Sequence, residues 1–112
     1  MAYRGERLDI RKRVDNGVAL LDDYDRNWRK GVDCIRLSMK ETDYCIIGQL
    51  FPSYMKGLLQ LGLINKDVTA SLSEYELAHI ASYGFDFTLN EFSPNRFSVL
   101  THTWKKAVMG AL

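Results

Sequence analysis

Cysteine and proline are scarce in this sequence, and neither sign of charge predominates. Only two cysteines occur in 112 residues, whereas a small secreted domain usually carries more, paired as disulfides. Two prolines and eight glycines exclude a collagen-like or low-complexity chain. Fifteen Lys and Arg nearly cancel fourteen Asp and Glu, for a net charge of +1, so no global field attracts nucleic acid or an anionic membrane. This composition predicts a globular cytoplasmic protein with reduced thiols.

Targeting and membrane-spanning segments are also missing from the pattern. The N-terminal MAYRGERLDIRKR has no apolar core of the kind that a secretory signal needs. The longest apolar region, residues 44–63, is interrupted by glycines, polar residues and Pro52, and it falls short of the ~20 apolar residues of a membrane span. We therefore predict no membrane partner and a single helical domain over residues 1–112, in which residues 1–7 form a flexible arm.

The first helix is predicted by apolar residues that recur at steps of three and four. They are Ile10, Val14, Val18, Leu21, Tyr24 and Trp28. The helix is predicted over residues 8–29, with Gly31 as its left-handed C-terminal cap. Gly17 lies inside this helix, where glycine costs roughly 1 kcal/mol relative to alanine. It therefore marks either a kink or the close approach of another element.

The central segment has the same spacing over residues 43–61, with Thr42 and Asp43 as candidate N-caps and Gly62 as the C-cap. Pro52 interrupts it, because proline lacks a backbone donor and clashes with the preceding turn. One interpretation is a single kinked helix. The preferred one is two short helices that meet at Phe51, with Pro52 in the first turn of the second.

Two further helices are predicted from capping signals. Ser71 with Glu74, or Ser73 with Glu76, fits a capping box that opens a helix over 72–83, ended by Gly84. Ser93-Pro94 opens the last helix, over 94–110. Its apolar residues recur at steps of three and four, namely Phe97, Leu100, Trp104, Ala107 and Ala111. The predicted fold class is therefore all-α, a compact small bundle of four to five helices. A minor two-stranded ribbon, pairing 33–39 with 85–89, is a secondary prediction from short alternating patterns.

Metal and nucleotide sites are not indicated by the motifs. Asp23, Asp25 and Asn27 resemble the start of a calcium loop, but Trp28 and Cys34 stand where that loop needs Gly and Glu. Cys34, Cys45, His79 and His102 lack zinc-finger spacing. No glycine-rich phosphate loop is present. We therefore predict no cofactor and no metal.

Catalysis is not indicated either. A cysteine nucleophile needs an exposed thiolate in an electropositive pocket, and Cys45 opens an apolar run, which favours burial. A cysteine enzyme would require Cys45 to be exposed beside His79 or His102. The prediction is a protein without enzymatic activity.

The one local charge feature is the N-terminal block, residues 1–13, with a net charge of +3. Its basic members, Arg4, Arg7, Arg11, Lys12 and Arg13, are the candidate partner-binding residues. A basic arm can bind phosphates. Four aspartates follow within residues 14–25 without any Lys or Arg, which also fits an ordinary solvated helix face.

Scattered positions across the chain resemble a small family of uncharacterised proteins from actinobacterial bacteriophages and their hosts. The resemblance rests mainly on Cys45-Ile46-Ile47-Gly48-Gln49-Leu50-Phe51, with further positions at 17–22, Trp28, Tyr54, Gly57, 61–63, 84–86, 100–101 and Trp104. That family often has Gly where Pro52 stands. The resemblance implies a phage-type accessory protein and brings no activity or site residues.

The predicted function is therefore a non-catalytic protein-binding module in the host cell cytoplasm, acting on a host or phage partner. Aromatic residues are plentiful, and some must lie at the surface of so small a domain, where protein interfaces use them. The alternative is a small nucleic-acid-associated protein that uses the basic arm and the first helix.

Overall fold

The computed structural model describes residues 2–65, 72–85 and 94–110, and the side chains of residues 9–65, 72–85 and 97–110. Within these ranges the chain forms five α-helices and one short 3-10 helix. In chain order they are α1 (Ala2–Tyr24), the 3-10 helix (Trp28–Gly31), α2 (Ile46–Leu50), α3 (Tyr54–Gln60), α4 (Glu74–Ala81) and α5 (Pro94–Val108). The described residues include no strand, so the all-α prediction is confirmed.

The two longest helices, α1 and α5, pack against each other and form the centre of the molecule. Most of the apolar positions that predicted these helices are buried, but Tyr24, at the end of α1, is 52% exposed. On α1 the buried side chains are Ile10, Val14 and Leu21, and on α5 they are Phe97, Leu100, Trp104 and Ala107. Val18 is half-buried against the same core. In each helix the apolar residues recur at the helical period and so form a stripe on one side. Packing of α1 against α5 buries both stripes and stabilises both helices.

The first helix ends at Tyr24, earlier than predicted, and begins at Ala2, so that it continues through residues 2–7. The Asp25 carboxylate accepts a hydrogen bond from the Asn27 backbone N–H at 2.9 Å, a turn that competes with helix continuation. Trp28 then lies in the separate 3-10 helix. Gly31 does not adopt the left-handed conformation predicted for a C-cap, because α1 has already ended.

The segment between the 3-10 helix and α2 is a series of turns, so the predicted ribbon is not supported. Asp33 Oδ1 accepts the backbone N–H of Ile35 at 2.9 Å, and the Met39 N–H donates to Thr101 Oγ1 at 2.9 Å. Ile35 is 92% exposed. These side-chain acceptors occupy donors that a strand would pair with its neighbour. Most of the predicted partner strand, residues 86–89, lies outside the described residues.

The central segment forms two helices, α2 and α3, as preferred, with Phe51 at the end of the first. Pro52 lies before the second helix rather than in its first turn, because Ser53 is the N-cap and accepts the Lys56 N–H at 3.1 Å. The N-cap of α2 is Cys45, in place of Thr42 or Asp43. Gly62 adopts φ +77°, as predicted for a glycine that ends a helix.

The start of α4 is the capping box predicted for Ser73 and Glu76. Gly84, at φ +75°, terminates this region, and its carbonyl accepts the indole N–H of Trp104 at 2.8 Å. The Tyr54 hydroxyl donates to the next carbonyl, that of Phe85. The end of α4 is therefore fixed by side chains of α3 and α5. Ser71 and Ser93, the other predicted caps, lie outside the described residues.

Candidate partner-binding surface

The predicted basic residues divide into three groups. Arg11 and Lys12 are exposed on the side of α1 that faces away from α5. Arg13 is only partly exposed and forms an ion pair with Asp9, Nε to Oδ2 at 3.0 Å. The backbone of α1 includes Arg4 and Arg7, but their side chains lie outside the described part of the structure. Among the described side chains, Arg11 and Lys12 are thus the candidates available to a partner.

The same side of α1 then becomes acidic. Asp15 and Asp23 are exposed there, with the small Ala19 between them. We call Arg11, Lys12, Asp15, Ala19 and Asp23 the outer face of α1. The ion pairs among the described residues join other groups, namely Asp9 with Arg13, Asp22 with Arg29, and Asp33 with Arg36. The charges of the outer face therefore have no partner within the part of the chain that is described.

Cys45 has a structural role in the fold. Its sulfur accepts the Gly48 N–H at 3.3 Å, capping α2, and its S–H donates to the Thr42 carbonyl at 3.5 Å. The side chain is 2% exposed, and burial raises the pKa of the Cys45 thiol more than backbone hydrogen bonds lower it. Burial and the raised pKa both oppose the exposed thiolate that a cysteine nucleophile requires.

We expect Cys45 to react slowly with a thiol reagent in the folded protein, since its sulfur is both covered and protonated. The measurement is the labelling rate of a Cys34→Ser variant at neutral pH, because Cys34 is half-buried and would otherwise react as well. Labelling should accelerate to the rate of a free thiol in denaturant. Rapid labelling before unfolding would show that the cap opens readily and would restore the cysteine-enzyme alternative.

The two histidines lie on different helices. His102 is exposed on α5, and His79 lies on α4. Within the described ranges, no three His, Cys, Asp or Glu side chains come together as a group that could hold a metal ion.

An aromatic row that the sequence analysis did not single out runs along α4 and into the turn that follows it. Tyr75, His79 and Tyr83 are spaced by four residues, so their side chains lie above one another. The rings of Tyr75 and His79 are stacked, with 6.3 Å between centroids and 6° between planes. Those of His79 and Tyr83 meet edge to face at 5.5 Å. The signal that could have revealed the row is this spacing of four residues between aromatic side chains.

Tyr75 is the most accessible member of the aromatic row, at 80% exposure, whereas His79 and Tyr83 are half-buried. The capping box at Ser73 fixes the backbone of the first turn of α4, and stacking on His79 orients the Tyr75 ring. A large ring is thus held in a defined position while most of its surface faces solvent.

A shallow groove of about 400 Å³ adjoins the aromatic row at Tyr83. It is lined by Asn16, Ala19, Leu20, Asp23, Ser82 and Tyr83. The Asn16 amide donates to the Ser82 carbonyl at 3.1 Å and ties α1 to the end of α4. The groove is lined by apolar groups of α1, one carboxylate and the ring of Tyr83. Such a lining suits a side chain or a short segment of another protein.

No protein-family model matches the chain, and no curated protein or solved structure is significantly similar to it. The resemblance to small actinobacteriophage proteins therefore stays a prediction. Among the described helices, none combines the length and the apolar character needed to cross a bilayer.

Proposed function

We propose that the chain is a non-catalytic protein-binding module that contacts a host or phage partner through the aromatic row of α4. The observation that carries this proposal is the exposure of Tyr75, 80% of whose surface is accessible although its ring is stacked on His79. Tyrosine is enriched at the energetically important positions of protein interfaces. A ring that is already positioned loses little conformational entropy when a partner covers it.

The neighbouring groove supports the same interpretation. It offers Ala19 and Leu20 to an apolar side chain, while Asp23 lies at the edge, where it attracts a basic group. A partner segment with an apolar anchor beside Lys or Arg would match both features. Such a segment could pack on the rings of α4 and place its anchor beside Tyr83.

The nucleic-acid alternative uses the basic arm and the first helix, in which Arg11 and Lys12 are the exposed members with described side chains. Asp15 and Asp23 follow them on the same face of α1, and carboxylates repel phosphate groups. Nucleic-acid binding requires several cations along one surface. The mixed charge of this face therefore favours a protein partner over a polyanion.

The test is affinity capture from an actinobacterial lysate, the source that the resemblance indicates, with and without nuclease. We expect a captured protein that survives nuclease treatment and that a Tyr75→Ser variant loses by about tenfold or more, as for a central interface tyrosine. The matched control is Met109→Ser, which removes a side chain of similar exposure (67%) near the end of α5.

Two outcomes would contradict the proposal. Capture of nucleic acid alone, abolished by nuclease and by high salt, would favour the alternative. Equal capture of the protein by wild type, Tyr75→Ser and Met109→Ser would show that the aromatic row is not the contact surface. Circular dichroism of both variants would establish that they remain folded.

A further inference from the structure

The charges of α1 are arranged against the dipole of their own helix. The N-terminal half of α1 is basic and its C-terminal end is acidic, with no acidic residue in the first turn and no basic residue in the last. A helix dipole is positive at the N-terminus and negative at the C-terminus, so it favours the opposite distribution. The charge pattern therefore does not serve the stability of α1 in the single chain.

The exposed charges also lack compensation from the rest of the fold. Asp22 is held by Arg29, Oδ1 to Nη1 at 3.0 Å, and by the indole N–H of Trp28 at 2.8 Å. Arg11 and Asp23, on the outer face of α1, have no such partner among the described residues. They lie 12 positions apart along the helix, which corresponds to about 18 Å at the rise of an α-helix.

We propose that the outer face of α1 pairs with the same face of a second copy of this chain, in antiparallel orientation about a two-fold axis. The occupant that fits this face must be acidic opposite Arg11 and basic opposite Asp23, and an inverted copy of α1 is both. The two helix dipoles also oppose each other in that orientation, so that the charge pattern becomes favourable in the dimer.

The positions of the outer face fit such a two-fold contact. When Arg11 lies opposite Asp23 of the second copy, the axis passes midway between Asp15 and Ala19, because both pairs share the same centre. Asp15 then faces the small Ala19 of the second copy rather than another carboxylate. Ala19 also allows the helix axes to approach closely, since the distance between packed helices depends on the side chains at the contact. The interface is isologous, as a dimer with two-fold symmetry requires.

The size of this surface sets the expected strength of the contact. One helix face covers much less than the roughly 800 Å² per partner of a standard stable interface. The dimer is therefore weak and depends on its ion pairs. It should form at high protein concentration and low ionic strength, where the Debye length is about 30 Å, and dissociate in about 1 M salt, where it is about 3 Å.

The experiment is sedimentation equilibrium of the full chain at low and high salt. The same measurement is then made on two charge-reversal variants, each alone and both mixed. Wild type should approach twice its monomer mass of 12.9 kDa at low salt only. Arg11→Glu alone and Asp23→Arg alone should each remain monomeric, because each places like charges opposite each other twice in the dimer. An equimolar mixture of the two variants should form a heterodimer, in which both pairs are restored with opposite charges.

Controls separate this result from misfolding and from the partner-binding proposal. Asp23→Arg places a cation in the last turn of α1, which suits the helix dipole, so unfolding would not explain its loss of association. Lys40→Glu changes an exposed charge in the loop before α2 and should leave the dimer intact. Ala19 and Asp23 also line the groove beside Tyr83, so a second copy and a partner segment would compete there. Tyr75→Ser lies off the outer face and should self-associate like wild type. Arg11→Glu lies outside the groove and should still capture the partner, so that either proposal can fail without the other.

The inference would be overturned by a wild-type chain that stays monomeric at low salt and millimolar concentration. It would equally be overturned by a dimer that survives both charge reversals, or by two variants that fail to associate when mixed. Association that strengthens at high salt would also overturn it, because it would indicate an apolar interface elsewhere on the molecule.

Discussion

Replacing Trp104 with alanine is expected to lower the free energy of unfolding by about 3–5 kcal/mol, the range for truncating a buried tryptophan. The indole is fully buried and stacks on Phe85, with 5.3 Å between ring centroids and 14° between planes. It also meets Trp28 edge to face at 6.1 Å. The substitution therefore leaves a cavity where α5, the 3-10 helix and the end of α4 meet.

The measurement is urea unfolding monitored by circular dichroism, since Trp104 itself contributes to fluorescence. Trp104→Phe separates the ring from its hydrogen bond, because phenylalanine keeps most of the volume but cannot donate to the Gly84 carbonyl. Its expected cost is about 1–3 kcal/mol, the penalty for a buried acceptor left without a partner. A loss below about 1 kcal/mol for Trp104→Ala would show that the centre of the core is placed wrongly.

The stripes of α1 and α5 could be predicted because each depends on one periodicity. Burial on one side of a helix imposes a spacing of three and four, whichever helix covers it. The break between α2 and α3 was predictable for a related reason, because Pro52 cannot be accommodated inside a helix whatever surrounds it. Local chemistry was also sufficient at Ser73, where a capping box needs only residues three apart.

The end of α1 could not be predicted in the same way, because the turn at Asp25 and the contacts of Trp28 decide it together. The apolar period continues through Trp28, so the pattern alone favours a longer helix. In the fold, Trp28 instead donates to Asp22 and packs against Trp104. The N-cap at Cys45 is a similar case. Thr and Asp are the better caps by preference, but packing buries the sulfur beside the Gly48 N–H.

The candidate surface was predicted only in part. Arg11 and Lys12 were identified by local charge, and their exposure follows from their position opposite the apolar stripe of α1. Arg13 was assigned to the same group, but it lies nearer the edge of that stripe and pairs with Asp9. The groove beside Tyr83 joins residues of α1 and α4 that are more than 60 positions apart, as in the hydrogen bond from Asn16 to Ser82. No pattern within either helix could reveal it.

The second large effect is expected at Gly17, where two principles predict opposite signs. An alanine inside a helix is favoured over glycine by roughly 1 kcal/mol, so propensity predicts a gain from Gly17→Ala. Packing predicts a loss, because the new Cβ would overlap the Tyr83 carbonyl oxygen and lie 2.7 Å from Cη2 of Trp104. The glycine thus marks a close approach to α5 and the end of α4, as one of the two sequence interpretations proposed.

Neither the Tyr83 carbonyl nor the Trp104 indole can move away easily, so we expect the steric overlap to outweigh the gain in helix propensity. The backbone near Tyr83 is held by the hydrogen bond from the Gly84 N–H to the Ala81 carbonyl at 2.9 Å. Trp104 in turn donates a hydrogen bond from its indole N–H to the Gly84 carbonyl. We therefore expect Gly17→Ala to destabilise the protein by about 1–3 kcal/mol net, as overpacking usually does, with a lower melting temperature in calorimetry.

Ala19→Gly, an exposed position on the same helix, provides the matched control and should cost only the propensity difference of about 1 kcal/mol. Combining Gly17→Ala with Trp104→Ala tests the contribution of the indole, because the shortened side chain removes the contact with Trp104 but leaves the Tyr83 carbonyl in place. The double variant should then lose less stability than the two single variants together, as expected for coupled neighbours. Strict additivity would assign the loss to the Tyr83 carbonyl alone, whereas a stabilising Gly17→Ala would mean that α1 does not approach α5 and the end of α4 as closely as described.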